Sequence, residues 1–309
     1  MYWTVPKPHS ECKVVLDDDT HIVVRQHGNP NGPRLLMCHG NGLAIDLYYP
    51  FWSHFESDYE VLVYDLRNHG WNERTHENDH NIVSMVCDVD AILDETSKKY
   101  GSKPTFGIYH SLSALVALLY SSQIFGAILT RENSGFDGLI LFDPPVYPTG
   151  PGESSEEFDQ AVQTATARTN KRSDHFESHA QFIELMNFLP GFSRLVPGAT
   201  ELMAHSILRE SKDGGYQLRC PREYEARLTR FARTFAGQVN FDEPPHPIKV
   251  VGADPILPFS YLPTVDLSDM ISVDFDFVAD ATHYMQIEKP ELCAWYVDDF
   301  ITKVSSASH

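Results

Sequence analysis

The sequence predicts an α/β fold, with a mostly parallel central sheet, helices on both faces and an inserted helical cap. Three observations predict it. Short apolar runs end abruptly in turn residues, as Arg34-Leu-Leu-Met-Cys38 does before His39-Gly-Asn-Gly42. Runs of this length suit strands buried on both faces. Segments with helical spacing separate them, and that alternation argues for a parallel sheet. The alternation is interrupted once: residues of about 150 to 235 offer several helix-like stretches and no convincing strand.

The elements follow in order. Residues 21–25 form an early strand ahead of the turn Asn29-Pro-Asn-Gly-Pro33, and residues 34–38 form the next. Residues 59–65 form another, ending at Leu66-Arg-Asn-His-Gly70. Ile82, Met85, Val86, Val89, Ile92 and Leu93 share one face of a helix over residues 82–100. A strand runs into Tyr109, a helix starts after Ser111, and Gly138-Leu-Ile-Leu-Phe-Asp143 is a further strand. Helices are expected over residues 156–168, 179–189 and 222–235. Strands then resume at residues 247–252 and 272–278, and Pro290, favoured in a first helical turn, starts a last helix. The expected limits are a core of residues 1–147 and 236–309, and a cap of residues 148–235.

The chain has 309 residues and a formal net charge of -19, from 24 Lys+Arg against 43 Asp+Glu. Such a field repels phosphate backbones and anionic surfaces, so no nucleic-acid partner is expected. Five scattered cysteines without a Cys-x-x-Cys pair suggest free thiols in a reducing compartment. The N-terminus lacks the apolar core of a signal peptide, and no apolar run is long enough to span a bilayer. A cytoplasmic location and no membrane span are expected. His76 and His80 are four apart, but they lie in the polar stretch Asn72-Glu-Arg-Thr-His-Glu-Asn-Asp79 and read as a loop, not a metal site. Arg219, Arg222, Arg227, Arg230 and Arg233 read as a solvated helix face with acidic partners.

Ser111 is the most informative residue. It lies between a strand and a helix, where a sharp turn lifts a hydroxyl out of the fold toward a substrate. A serine capping the helix would give the same local pattern. The neighbours argue for chemistry. A serine hydroxyl needs an imidazole to take its proton and an acid to hold that imidazole. Active groups of an open parallel sheet collect at the carboxyl ends of its strands. Asp143, Asp254 and His283 all follow predicted strands, in that order after Ser111.

His39-Gly-Asn-Gly42, the turn from Asp65 to Gly70, the elbow around Ser111 and Ala281-Thr-His283-Tyr together resemble the α/β-hydrolase superfamily, specifically its branch with a helical cap. The resemblance covers the chain from about residue 18 to 300. It implies an α/β-hydrolase fold with Ser111 as nucleophile, His283 as base, and the backbone N–H groups of Asn41 and Leu112 as oxyanion donors. It leaves the acid open between Asp143 and Asp254. Gly40, His110, Tyr109, Trp52 and Tyr147 are expected around the substrate pocket. The family pattern Gly-x-Ser-x-Gly is altered, with Tyr109 and Ser113 in the glycine places, and the bulk of Tyr109 calls for a widened elbow or a ring turned into the pocket.

The function so implied is a cofactor-free serine hydrolase acting on a small hydrophobic ester, lactone or thioester. Carbon–carbon bond hydrolysis or lyase chemistry on the same triad is one alternative, and a ligand-binding protein on a hydrolase scaffold is another. Serine at the elbow argues against the carboxylate chemistry of epoxide hydrolases and haloalkane dehalogenases.

Overall fold

The apolar runs become an eight-stranded sheet in the computed structural model, which describes residues 3–131, 134–146, 153–239, 241, 244–257 and 272–307. The described elements are β1 (Ser10–Val15), β2 (His21–Gly28), β3 (Arg34–Cys38), α1 (Tyr49–Trp52), β4 (Glu60–Tyr64), α2 (Ile82–Tyr100), β5 (Thr105–His110), α3 (Leu112–Ser121) and β6 (Gly138–Phe142). After these come α4 (Glu153–Lys171), β7 (His175–Phe176), α5 (His179–Phe188), α6 (Ala199–Ile207), β8 (Leu208–Glu210), β9 (Tyr216–Leu218) and α7 (Arg222–Ala236). The chain closes with β10 (Ile248–Gly252), β11 (Asp274–Phe277), α8 (Met285–Glu288) and α9 (Pro290–Ala307).

The strand order is β1-β2-β4-β3-β5-β6-β10-β11. The β1–β2 and β2–β4 pairs are antiparallel, and the remaining pairs are parallel. From β3 the chain moves outward to β4, then returns to β5 on the other side of β3. That reversal makes a crevice at the carboxyl ends of β3 and β5, where ligands bind in open α/β sheets. Strand alternation sends Leu36 and Leu62 to a core shared with α2 and α3. It sends Leu35, Met37, Val61 and Val63 to a second core with α1 and α9.

The segment between β6 and β10 is not wholly helical. It carries α4 to α7, together with a three-stranded antiparallel sheet of order β7-β9-β8. Strands of two or three residues are too short to leave a period-2 pattern in the sequence. The segment joins both cores: Leu228 and Ala232 of α7 pack with the α2–α3 side, and Met203 and Ala204 of α6 with the other. No helix among the described residues is long and apolar enough to cross a membrane. The five cysteines are free thiols.

Candidate active site

The elbow forms because β5 ends at His110 and α3 begins at Leu112, leaving one residue to turn the chain. Ser111 takes φ 53° and ψ −118°, a conformation that costs a non-glycine residue of order 1–3 kcal/mol. Its N–H donates to the Phe142 carbonyl at 2.8 Å, tying the turn to β6. Its side chain does not cap α3. The hydroxyl points instead to His283, with Oγ 3.0 Å from Nε2. On the other side of that ring, Nδ1 lies 2.5 Å from Asp143 Oδ2. A carboxylate can only accept, so Nδ1 carries the proton and Nε2 presents a lone pair to the hydroxyl. Asp143 is itself oriented, because its Oδ1 accepts the Ala253 N–H at 3.4 Å. The three residues are 7, 6 and 5% exposed for Ser111, Asp143 and His283.

Asp254 does not meet the ring. Its Oδ1 accepts the Ile256 N–H at 3.1 Å, its Oδ2 accepts the Asp280 N–H at 2.8 Å, and its own N–H donates to the Ala281 carbonyl at 2.9 Å. It fastens the turn that delivers His283. Of the two open acids, the geometry brings Asp143 to the imidazole and gives Asp254 the backbone of the loop.

The loop after β3 is held from several sides. Gly40 N–H donates to Tyr48 Oη at 3.2 Å, and Gly42 N–H to His69 Nε2 at 3.1 Å. The N–H of Asn41 between them has no partner among the described residues. Leu112 N–H, in the first turn of α3, has no intrahelical partner either, as the first N–H groups of any helix do not. Gly42 has φ 73°, and a Cβ there would sit 2.1 Å from Glu225 Oε2 of α7. The inserted segment therefore rests on this loop. Asn41 Nδ2 donates to the Glu225 carbonyl at 2.9 Å and to Thr229 Oγ1 at 3.3 Å. Glu225 in turn is bonded by Arg172.

The turn from Asp65 to Gly70 supports the same loop. Asp65 accepts the N–H groups of Ile45 and Trp71. Burial alone would raise its pKa, but His39, Arg25 and the Trp71 N–H together lower it, so it stays a carboxylate. His69 donates from Nδ1 to the Arg67 carbonyl. Burial pushes its pKa down to about 3, with nearby His39 adding to the effect, and it remains a neutral acceptor for Gly42.

Several residues expected around a pocket have other work. Tyr109 turns away from the site into the core beside Tyr64 and Phe136. Its bulk fits because Gly107, two residues earlier on the same strand face, is empty: a Cβ there would lie 2.6 Å from Tyr109 Cε2. Ser113, in the other altered place, accepts the His110 N–H at 3.1 Å. Trp52 is core, with Nε1 donating to the Ile45 carbonyl and its ring edge-on to Tyr49. His110 is fully buried and bonded at both ring nitrogens. Gly40 does adjoin the elbow, since a Cβ there would lie 3.3 Å from Ser111 Cβ. Tyr147 lies outside the described residues. Sequence reasoning missed Tyr48, Asn68 and Glu225. Only Glu225 left a signal, as a carboxylate on the apolar side of a helix.

No group of three metal-ligating side chains occurs among the described residues. His80 is buried with Nδ1 accepting from Asn68 Nδ2 at 3.0 Å, and His76 caps the short turn of residues 77–79. Three arginines of α7 meet acids or a carbonyl: Arg222 the Glu223 carboxylate, Arg233 that of Asp159, and Arg227 the Glu77 carbonyl. Arg219 is not on that face: it precedes α7, and its Nε donates to the Leu208 carbonyl at 3.2 Å. A cavity of about 960 Å³ opens between residues 3–5, α5 and α6, and its lining includes none of Ser111, Asp143 and His283.

A sheet of this order, with a strained serine on its central elbow and a histidine returned from the last strand, defines a class of enzyme fold. The model of the alpha/beta hydrolase family matches residues 35–294, and the chain belongs to that family. Solved structures agree on the fold. The chain is 17% identical to E-2-(acetamidomethylene)succinate hydrolase, covering 95% of this chain and 99% of that one, with a TM-score of 0.75. It is 13% identical to the enol-lactonase from Burkholderia xenovorans LB400, covering 94% and 99%, with a TM-score of 0.67. For the thioesterase domain from the curacin biosynthetic pathway the figures are 16%, 93% and 98%, with a TM-score of 0.66. No curated protein matches the sequence.

Proposed function

We propose that the chain is a serine hydrolase that cleaves a small hydrophobic ester, lactone or thioester through an acyl-enzyme. One observation carries the reading: Ser111, His283 and Asp143 lie in hydrogen-bond contact, in the order that proton transfer needs. Ser111 Oγ attacks the carbonyl carbon while its proton passes to His283 Nε2. The carbonyl oxygen becomes an oxyanion, received by the N–H groups of Asn41 and Leu112. Collapse breaks the bond to the leaving group, which takes the proton from Nε2. Water then gives a proton to Nε2 and attacks the acyl carbon. The acid departs and the proton returns to Ser111. Asp143 holds the ring and stabilises its charged form.

The inserted segment acts as the cap, and its α7 braces the oxyanion loop through Asn41. A triad this deeply covered favours a substrate small enough to be enclosed over a polymer. The enol-lactonase and the thioesterase among the structural relatives fit the bond types proposed.

A panel of short acyl esters, lactones and thioesters, run with wild type and Ser111→Ala side by side, tests the reading. Turnover of at least one substrate is expected, with loss of several orders of magnitude in the variant. Equal rates in both proteins would end the mechanism.

A further inference from the structure

We propose that His110 and Tyr48 are positioning residues that clamp the backbone of the His283 turn to the elbow and to the oxyanion loop. The inference rests on the serine-hydrolase reading above and adds two residues to it.

His110 closes β5, one residue before the nucleophile, and is fully buried. Its Nε2 lies 2.8 Å from the His283 carbonyl oxygen. Its Nδ1 lies 2.6 Å from Tyr48 Oη, which accepts the Gly40 N–H at 3.2 Å. The proton positions follow from what each group can do. A carbonyl only accepts, so Nε2 carries the hydrogen. A neutral imidazole has one hydrogen, so Nδ1 is the acceptor and Tyr48 donates to it. The oxygen of Tyr48 then has a lone pair for Gly40. The chain runs from Gly40 N–H to Tyr48, to His110 and to His283 C=O, with no donor facing a donor.

This order holds only while His110 is neutral. Burial and the neighbouring His283 push its pKa well below the usual histidine value. The two rings are 4.6 Å apart. A charged His110 would oppose the charge that His283 takes on during turnover.

The clamp joins the loop after β3, the short turn of residues 45–48, the end of β5 and the loop after β11. These bring the oxyanion donor, the nucleophile and the base. The Asp143 and Ser111 bonds orient the His283 ring, and the His110 bond fixes the backbone from which that ring hangs. Gly40 makes room for it: a Cβ there would lie 2.8 Å from His110 Nδ1. A displacement of about 1 Å in a reacting group can cost on the order of 100-fold in rate.

Labelling by a fluorophosphonate tests this without a known substrate. His110→Leu removes the donor to His283, and the maximal labelling rate is expected to fall about 10- to 100-fold with the half-saturating probe concentration little changed. His110→Gln returns an amide donor near the place of Nε2 and is expected to recover most of the rate. Tyr48→Phe leaves the Nε2 bond to His283 in place but takes the donor from His110 Nδ1 and the acceptor from Gly40 N–H, untying the clamp from the loop after β3; a smaller loss is expected. If His110→Leu does not fold, Tyr48→Phe and His110→Gln decide. Wild-type labelling with an unchanged maximal rate in folded His110→Leu, or in Tyr48→Phe where His110→Leu does not fold, would overturn the clamp alone. So would a His110→Gln protein as slow as His110→Leu. Absence of wild-type labelling would take down the hydrolase reading and the clamp together.

Discussion

The turns after β6 and β10 are close counterparts that do different things. Each follows a buried five-residue strand, each carries an aspartate before a proline, and the two strands are parallel neighbours. Asp143 has φ 44°, and that left-handed turn accompanies a carboxylate seated against His283. Asp254 spends both carboxylate oxygens on backbone N–H groups, at Ile256 and Asp280. One acid holds the imidazole, and the other holds the loop that carries it. The same Asp-Pro dipeptide thus serves two roles, set by which partner the fold brings to each strand end.

The comparison breaks most visibly at Asp143. Asp143→Asn should lower the turnover of any ester substrate by about 10⁴-fold, because the amide no longer enforces the tautomer. Steady-state kinetics at saturating substrate would show it, with a melting temperature close to that of wild type. Asp254→Asn should behave in the opposite way. Its amide can satisfy only one of the two N–H groups, so stability should fall by about 1–3 kcal/mol, read as a lower urea midpoint. Turnover should drop less than about 10-fold. A larger kinetic effect at Asp254 than at Asp143 would reverse the assignment.

The histidines sharpen the same contrast between a reacting group and its support. Burial pushes the pKa of His80 down to about 2 and that of His69 to about 3, with neighbouring His69 and His39 respectively adding to it. Both stay neutral when folded, while the unfolded chain binds a proton at each below about pH 6.5. Their contribution is therefore complete above pH 6.5 and is lost progressively as the pH falls. At pH 5 the loss is about 2 kcal/mol for each. Melting temperatures between pH 7.5 and 5 should fall less steeply in His80→Gln than in wild type, and parallel curves would contradict this.

The smallest effect concerns the elbow strain. Ser111→Gly accepts φ 53° without a Cβ, whereas Ser111→Ala keeps the clash. The glycine variant should be the more stable of the two by about 1 kcal/mol, measured by denaturant unfolding.

Much of this was legible in the residues. The buried strands announced themselves as apolar runs stopped by turns, and α2 shows the bounds its spacing predicts. β1 escaped because an edge strand buries one face only, here Cys12 and Val14. The choice between Asp143 and Asp254 was not legible, since both are Asp-Pro after a strand and the deciding contact is made by a loop near residue 283. Tyr109 could have been placed, because Gly107 two positions earlier shares its strand face. Tyr48 left no pattern at all: its role arises only when the stretches around residues 40–48, 110 and 283 converge.

Everything proposed for the site requires that Ser111 be the nucleophile. Peptide mass spectrometry after fluorophosphonate treatment tests it most directly. One phosphonyl adduct is expected, on the peptide containing Ser111, absent from Ser111→Ala and formed far more slowly in His283→Ala. An adduct on another serine, or none on the folded wild-type protein, would contradict it.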